Sequence, residues 1–447
     1  MSLPRYERYS NSGTDWLGEV PTHWRLVPLW TLFRRTKRTG FESEQLLSVY
    51  RDFGVVPKAS RDDNNNKPSD DLSVYQLVEP GDLAINKMKA WQGAVAISGH
   101  RGIVSPAYFI YESTHSENGR FLHYLLRSPR YITGYLSLSK GIRVNQWDLE
   151  PQYHSRMPVL LPSRDEQAAI ATFLDREAAK IDALIAEQEK LITLLAEKRQ
   201  ATISHAITRG LNPNVPMKYS GVSWLGDVPA HWTVVPLMHL THPARPIMYG
   251  IVLPGPDVEE GIPIVKGGDV KEYRLKVELL NRTTIEIEAP YARARLLPMD
   301  VVYSIRGTIG DAEVVPADLA GANITQDVAR ISPADGVQTR WLLHVMKSKP
   351  VFVQLEQRSL GAAVRGINIF ELKRARIPVP PRAERDEIAG FLDFETMKLD
   401  ALRVEADRTI QLLKERRSAL IAAAVTGQID VRESVSTPAA VGEELAA

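Results

Sequence analysis

Cysteine is absent from all 447 residues. That excludes disulfides, thiolate metal sites and a thiol nucleophile, and it fits a reducing compartment such as the cytosol. Long apolar runs are missing too: nothing approaches the ~18 residues of a membrane span, and the first thirty residues carry charges and three prolines where a secretory leader needs an apolar core. A cytoplasmic chain that does not cross a membrane is the expectation. Net charge is nearly zero, at +1, so the overall basicity common among nucleic-acid binders is lacking. The balance conceals a pattern, because residues 1–162 and 218–381 carry excesses of +4 and +2 while 163–217 and 382–447 carry −1 and −4. Two mildly basic blocks alternate with two connectors that suit protein contacts. With 44% hydrophobic and 24% charged residues the composition is that of a folded protein, and at about 100–200 residues per domain the length allows two to four units.

Catalytic signatures are also scarce. There is no phosphate-cradling Gly-x-x-x-x-Gly-Lys-Ser/Thr, no Gly-x-Gly-x-x-Gly, no His-Glu-x-x-His and no Gly-x-Ser-x-Gly. The ten histidines are scattered without metal-ligand spacing. Asp257, Asp269 and Lys271 fit the loose spacing of a metal-dependent nuclease, but they lie in Gly/Pro-rich turns and have no counterpart earlier in the chain. No catalytic residue, metal ligand or cofactor of the chain's own is expected.

What the sequence does contain is itself, twice. Trp16-Leu17-Gly18-Glu19-Val20-Pro21-Thr22-His23-Trp24 returns as Trp224-Leu225-Gly226-Asp227-Val228-Pro229-Ala230-His231-Trp232, a shift of 208. His23 and His231 read as local hydrogen-bonding groups in an aromatic cluster of Trp16, Trp24, Trp224 and Trp232. Further on, Ile170, Phe173, Leu174 and Asp175 match Ile388, Phe391, Leu392 and Asp393 at a shift of 218, so the second copy holds ten extra residues in its middle. Each copy runs from Trp motif to variable region to helical region.

The helical regions lack Gly and Pro from 165 to 208 and begin after Pro162 and after Pro380-Pro381. Steps of four and three predict a heptad seam of Ile170, Leu174, Ile181, Leu184, Leu191 and Leu195, matched by Ile388, Leu392, Leu399, Leu402 and Leu413, with polar breaks at Glu177, Gln188, Glu395 and Thr409. Forty-odd residues make a rod of roughly 65 Å, and an apolar stripe that long is expected to pair with the other copy as an antiparallel coiled coil. The variable regions carry short apolar runs, such as 82–85, 93–97, 300–303 and 311–315, with short helices near 120–126 and 340–346, which is a mixed α/β pattern. The expected organisation is a mixed α/β module over 1–162, a helical arm over 163–210, a linker over 211–217, a second module over 218–381, a second arm over 382–428 and a disordered tail over 429–447.

Loops of both modules mix Arg and Lys with Asn, Gln and aromatics, the side chains that hold phosphates and reach base edges. The first offers Lys87, Lys89, Trp91, Gln92, Lys140, Arg143, Asn145 and Gln146; the second offers Arg306, Asn323, Thr325, Gln326, Arg358, Arg365 and Asn368. For any one of them a solvated loop residue is an equal reading, and for Trp91 packing is the better one.

Two Trp motifs, two variable modules, and two arms ending in Glu197-Lys198-Arg199 and Glu415-Arg416-Arg417 closely resemble the specificity subunit of type I restriction–modification systems. The resemblance spans residues 9–433. It implies two target-recognition domains reading the halves of a split double-stranded DNA sequence, separated by a coiled coil that acts as a ruler. It also implies a chain without catalysis that docks two modification subunits, which use S-adenosylmethionine, and through them restriction subunits, which use ATP and magnesium. From the residues alone, an autonomous nuclease or methyltransferase with duplicated DNA-binding domains, and a coiled-coil scaffold that never touches DNA, remain as alternatives.

Overall fold

The computed structural model describes residues 3–51, 53–61, 68–140, 147–357 and 366–436. It contains two compact units, Met1–Gln188 with Arg408–Ala447, and Glu189–Asp407. Two long helices, a first arm of Arg164–Arg209 and a second of Arg382–Val425, each give one half to each unit.

In the first unit, Phe33–Thr36, Tyr108–Ser113, Leu83–Asn86 and Val95–Ile97 form an antiparallel sheet in that order. The second unit repeats the order with Met248–Tyr249, Val328–Ile331, Val301–Ser304 and Ala312–Val314. The short apolar runs predict the last two strands of each sheet, Leu83–Asn86 and Val95–Ile97, Val301–Ser304 and Ala312–Val314, and Leu83, Ile85, Val301 and Tyr303 are fully buried; the inner strands Tyr108–Ser113 and Val328–Ile331 were not read from sequence. A helix then covers each sheet, Gly119–Leu126 capped by the Asn118 side chain and Thr339–Lys347 capped by that of Gln338. The strand after each Trp motif pairs antiparallel with the strand that leads into the arm, Arg25–Pro28 with Pro158–Leu161 and Thr233–Pro236 with Arg376–Val379. Each module is thereby closed by its own ends.

The arms pair antiparallel within each unit, as the repeat predicts. In the first, Arg417 Nε lies 2.9 Å from Asp182 Oδ1; in the second, Arg199 Nε lies 3.4 Å from Asp400 Oδ1. Both partners are related by the 218 shift, so the two ion pairs are one interaction made twice. The predicted seam needs correction. Ile170, Leu174, Ile181, Leu195, Ile388, Leu392 and Leu399 are buried and Leu413 is half-buried, but Leu184, Leu191 and Leu402 face solvent. After Leu174 the contact line runs 178, 181, 185, 188, 192, 195, and after Leu392 it runs 396, 399, 406, 410, 413. An extra step of four, with Ala178 and Thr396 buried at it, breaks the strict alternation. A straight helix of 3.6 residues per turn drifts off a 3.5-residue repeat, and such a stutter resets it.

Glu166 and Glu384, in the first turns of the arms, anchor them to the Trp motifs. Trp24 Nε1–H donates to Glu166 Oε1 at 3.0 Å, and Trp232 Nε1–H to Glu384 Oε2 at 2.8 Å. His23 Nε2 lies 3.2 Å from Glu166 Oε2 and His231 Nε2 2.6 Å from Glu384 Oε1. The histidines thus meet a carboxylate as well as the adjacent indole, His23 edge-on to Trp24 and His231 to Trp232, both at 6.4 Å, while Trp16 packs edge-on to Tyr131 at 5.0 Å and Trp24 to Phe121 at 6.5 Å. Each arm ends in a left-handed glycine, Gly210 at φ 73° and Gly427 at φ 71°. A Cβ on Gly210 would stand 3.1 Å from the Trp232 ring, and one on Gly427 would stand 2.4 Å from Pro21 and 3.3 Å from Trp24. The same tryptophan thus receives the start of one arm and the end of the other. Removing an indole of about 200 Å² from water contributes roughly 5 kcal/mol.

The expected tail also needs correction at its start. Val431 is buried, Ile429 packs on the core of the first unit, the Asp430 amide donates to Pro4 O at 2.8 Å, and Arg432 both pairs with Asp430 and covers the Tyr6 ring at 5.1 Å. An apolar residue on either side of Asp430 gave the segment something to bury.

Replacing Glu166 or Glu384 by Ala strips a buried indole of its acceptor and is expected to lower stability by about 1–3 kcal/mol, with Gln, which keeps an acceptor, losing less; calorimetry of the variants checks this. Met299 is left-handed at φ 71° and exposed, where the first copy has Gly81 at φ 94°. Met299→Gly is expected to raise stability by ~0.5–1 kcal/mol, read as a higher thermal midpoint.

Candidate nucleic-acid interface

The sheet of each unit delivers its loops to one end. In the first unit the turn after Leu83–Asn86 carries Lys87, Lys89, Trp91 and Gln92, and the Leu149 amide bonds to Lys87 O at 3.1 Å. That bond brings residues 147–149 alongside. Lys87 Nζ lies 3.9 Å from Asp148 Oδ2, and Lys140 pairs in a ribbon with Asp148. Lys89 and Gln92 are exposed. Trp91 is a packing residue: its Nε1–H donates to Met88 O at 3.0 Å and its ring stands 4.9 Å from Trp147. Lys87, Lys89, Trp91, Gln92 and Lys140 are thus gathered around residues 147–149. Trp147 was missed by sequence reading, although it directly follows Gln146.

The second unit repeats the plan with other side chains. The Ile367 amide bonds to Ile305 O at 2.9 Å, and Arg306 forms a bridge with Gly366. Arg306 is exposed, and Thr308 Oγ1–H donates to Gly267 O at 3.0 Å, which draws the Lys266–Asp269 turn beside it. Three candidates from the sequence fall elsewhere or act otherwise. Asn323 is fully buried, donating to Glu288 Oε1 at 2.8 Å and Tyr291 O at 3.0 Å, and Thr325 is buried beside Val265 O at 3.4 Å; neither side chain can reach a duplex. They sit in a strand edge that reads as a polar loop only when its neighbours are unknown. Asn368 is exposed but caps the helix Ile369–Lys373, its Oδ1 accepting from the Phe370 amide at 2.9 Å. Gln326 is half-buried, its amide on Ile251 O at 2.8 Å. Arg143, Asn145, Gln146, Arg358 and Arg365 lie outside the described residues.

Asn323 belongs to a closed polar group. The Arg295 guanidinium holds the Glu288 carboxyl below its usual range through bonds of 2.7 and 2.6 Å, against the opposing effect of burial. The two carboxylates with nuclease-like spacing are engaged as well. Asp257 Oδ1 accepts from the Arg282 amide at 2.8 Å, and Asp269, buried, accepts from the Lys266 amide and from Arg274, both at 3.1 Å. Among the described residues, no three His, Asp or Glu side chains gather as a metal site would require.

No protein-family model matches the chain. Over 332 residues, 73% of this chain and 69% of the relative, it is 26% identical to the type I restriction enzyme EcoBI specificity subunit of Escherichia coli. It is 24% identical over 320 residues to the putative type I restriction enzyme MjaX specificity subunit of Methanocaldococcus jannaschii, covering 70% of this chain and 68% of that one. A chain solved in a study of the assembly and conformational transition of the type I restriction–modification system superposes with a TM-score of 0.61 at 19% identity, over 91% of this chain and 98% of that one, and so shares the fold. This chain is a relative of type I restriction enzyme specificity subunits. The resemblance seen in the Trp motifs and arms is the one the whole-chain comparisons return.

In this specificity-subunit relative the first unit withdraws two histidines from water, His154 fully buried and His123 half-buried. Burial, and then the neighbouring Arg127, push His123 down to about 4, and burial pushes His154 down to about 3. His154 Nδ1 lies 3.2 Å from the Tyr111 hydroxyl. Folding keeps both rings neutral, whereas the unfolded chain takes up protons near the ordinary value of about 6.5. Stability is therefore full above that pH and drains as pH falls toward 4 and then 3, by about 1.4 kcal/mol per pH unit for each histidine. Thermal midpoints measured from pH 7 to 4 are expected to fall, and His154→Phe is expected to flatten the decline; an unchanged slope would contradict the assignment.

Proposed function

We propose that this chain is the DNA-recognition subunit of a type I restriction–modification assembly, itself without catalytic activity, working in the cytosol on a bipartite target in double-stranded DNA. The observation that carries the reading is a division of the sequence: the Trp clamp, the arms and the sheet order are kept in both copies, while the loops delivered by the sheets are changed. A duplicated frame that holds two unlike sets of loops suits two unlike half-sites. Chemistry is assigned to partners, modification subunits carrying S-adenosylmethionine and restriction subunits using ATP and magnesium.

The arms supply a surface for those partners. Leu184 and Leu402, equivalent at the 218 shift, are 52% and 54% exposed, and Leu194 and Leu412 are exposed alike. Apolar side chains held in solvent at the same place in both arms favour a protein that binds twice, which agrees with two modification subunits. The paired arms then act as the ruler between half-sites. On duplex DNA one helical turn is about 34 Å, within the reach of a helix of 44–46 residues at 1.5 Å per residue.

Incubated alone with magnesium, ATP and S-adenosylmethionine, the purified chain is expected to turn over nothing; turnover would favour an autonomous enzyme. Footprints of the reconstituted complex are expected to show two sequence-dependent patches, and their absence would favour a scaffold. Removing residues 186–189 together with 404–407 shortens both arms by about 6 Å and is expected to shorten the preferred spacer while both half-sites stay the same. Changed half-sites at a constant spacer would refute the ruler.

A further inference from the structure

One surface feature recurs in both units outside the Trp clamp and the arms. Between the loop cluster and the last strand of each module lies a short helix, Pro151–His154 in the first and Ile369–Lys373 in the second. Each presents an exposed ring, Tyr153 at 42% and Phe370 at 52%. Over each ring sits a cation, Lys140 Nζ at 4.8 Å and the Arg374 guanidinium at 3.7 Å. An exposed arginine follows each helix, Arg156 and Arg374, again 218 residues apart. The next residue is pinned in both cases: the Leu29 amide bonds to Met157 O at 2.9 Å and the Leu237 amide to Ala375 O at 2.8 Å. The backbone is fixed while the guanidinium stands in solvent, and among the described residues neither arginine makes an ion pair. Both helices begin two residues after the amide that ties them to the candidate reading loops, Leu149 on Lys87 and Ile367 on Ile305.

Copies of a duplicated module diverge where they touch different things and stay alike where they touch the same thing. Base edges differ between half-sites; phosphates do not. We propose that the short helix and its trailing arginine form a phosphate-holding foot in each unit, with Arg156 and Arg374 gripping the DNA backbone beside the base-reading loops, whatever the sequence. The proposal rests on the DNA-recognition reading. In the second unit the ring beneath Arg374 holds the guanidinium extended and preorganised. Arg156 and Arg374, exposed and without an ion pair among the described residues, fit a polyanion better than they fit the apolar stripe of a protein partner.

The test uses the full chain, with fluorescent duplexes titrated over a series of salt concentrations: one selected from a random pool by the wild type, one of unrelated sequence. Failure of the wild type to bind or select any duplex would overturn the recognition reading itself. Given wild-type binding, R156Q and R374Q are each expected to weaken both duplexes by the same factor, roughly 5–10-fold, leave the preference ratio unchanged, and reduce the slope of log K against log salt by about one. R374K is expected to restore the slope. Unchanged affinity and slope, or a loss confined to the selected duplex, would overturn the foot; so would a loss of partner-subunit binding with DNA binding intact.

Discussion

One carboxylate in the first turn of each arm, Glu166 or Glu384, fixes everything downstream of it. It accepts the indole proton of the Trp motif and sits beside the adjacent histidine, so the start of a 44–46-residue helix is tied to the strand that opens its own module. The same indole receives the glycine that ends the opposite arm. Each arm therefore starts on one tryptophan and finishes on the other. Within each unit these ties hold the module's own ends against the arm that follows them. The motif is repeated with few changes because it has the same task twice: Glu19 becomes Asp227 and Thr22 becomes Ala230 at positions that face outward, while the His-Trp pair is unchanged.

The arms show how much of such a structure a sequence discloses. Their lengths, their glycine stops and their antiparallel pairing follow from composition and repetition. Their contact line does not, because periodicity weighs leucines by type and the helix places them by angle. Leu184 and Leu402 keep a heptad spacing with their neighbours yet point outward, and Thr396, a poor seam residue by type, is buried with its hydroxyl donating 2.7 Å to Leu392 O. That internal bond satisfies the hydroxyl and lets a polar residue take a core position. The leucines displaced from the seam then become the exposed surface, so the misreading itself points to a partner.

In the modules one inner and one edge strand of each sheet, and the covering helices, were legible from short apolar runs. Side-chain fate in the loops was not. Asn323 and Asn368 look alike in sequence, polar residues in loops near arginines. One is locked under Glu288 and the other closes a helix end. Glu166 and Glu384 went unnoticed because a single acid in the first turn of a helix is ordinary, and only contact with a residue about 150 positions earlier gives it meaning. The shift between the copies held a usable signal: Glu166 and Glu384 are related by the 218 shift, as are Arg156 and Arg374.

A net charge of +1 looks at odds with a protein that reads DNA, and the ion pairs resolve it. Arg38 pairs with Glu79 and Asp82, Arg101 with Glu44 and Glu79, Arg245 with Asp300, Arg295 with Glu288 and Arg340 with Asp393. These five arginines and six carboxylates nearly cancel in the sum, and they hold loops and helices in place. Net charge in such a protein counts the scaffold. On the proposed reading, the charges available to a duplex are the smaller set of cations left facing solvent near the loop clusters, Lys89 and Arg156 in one unit and Arg306 and Arg374 in the other. Their local field falls off within a Debye length of about 8 Å at physiological salt, so the charges that matter to it are the near ones. If the proposed reading holds, placement of a few unneutralised charges, and not their total, is what would suit this chain to a phosphate backbone.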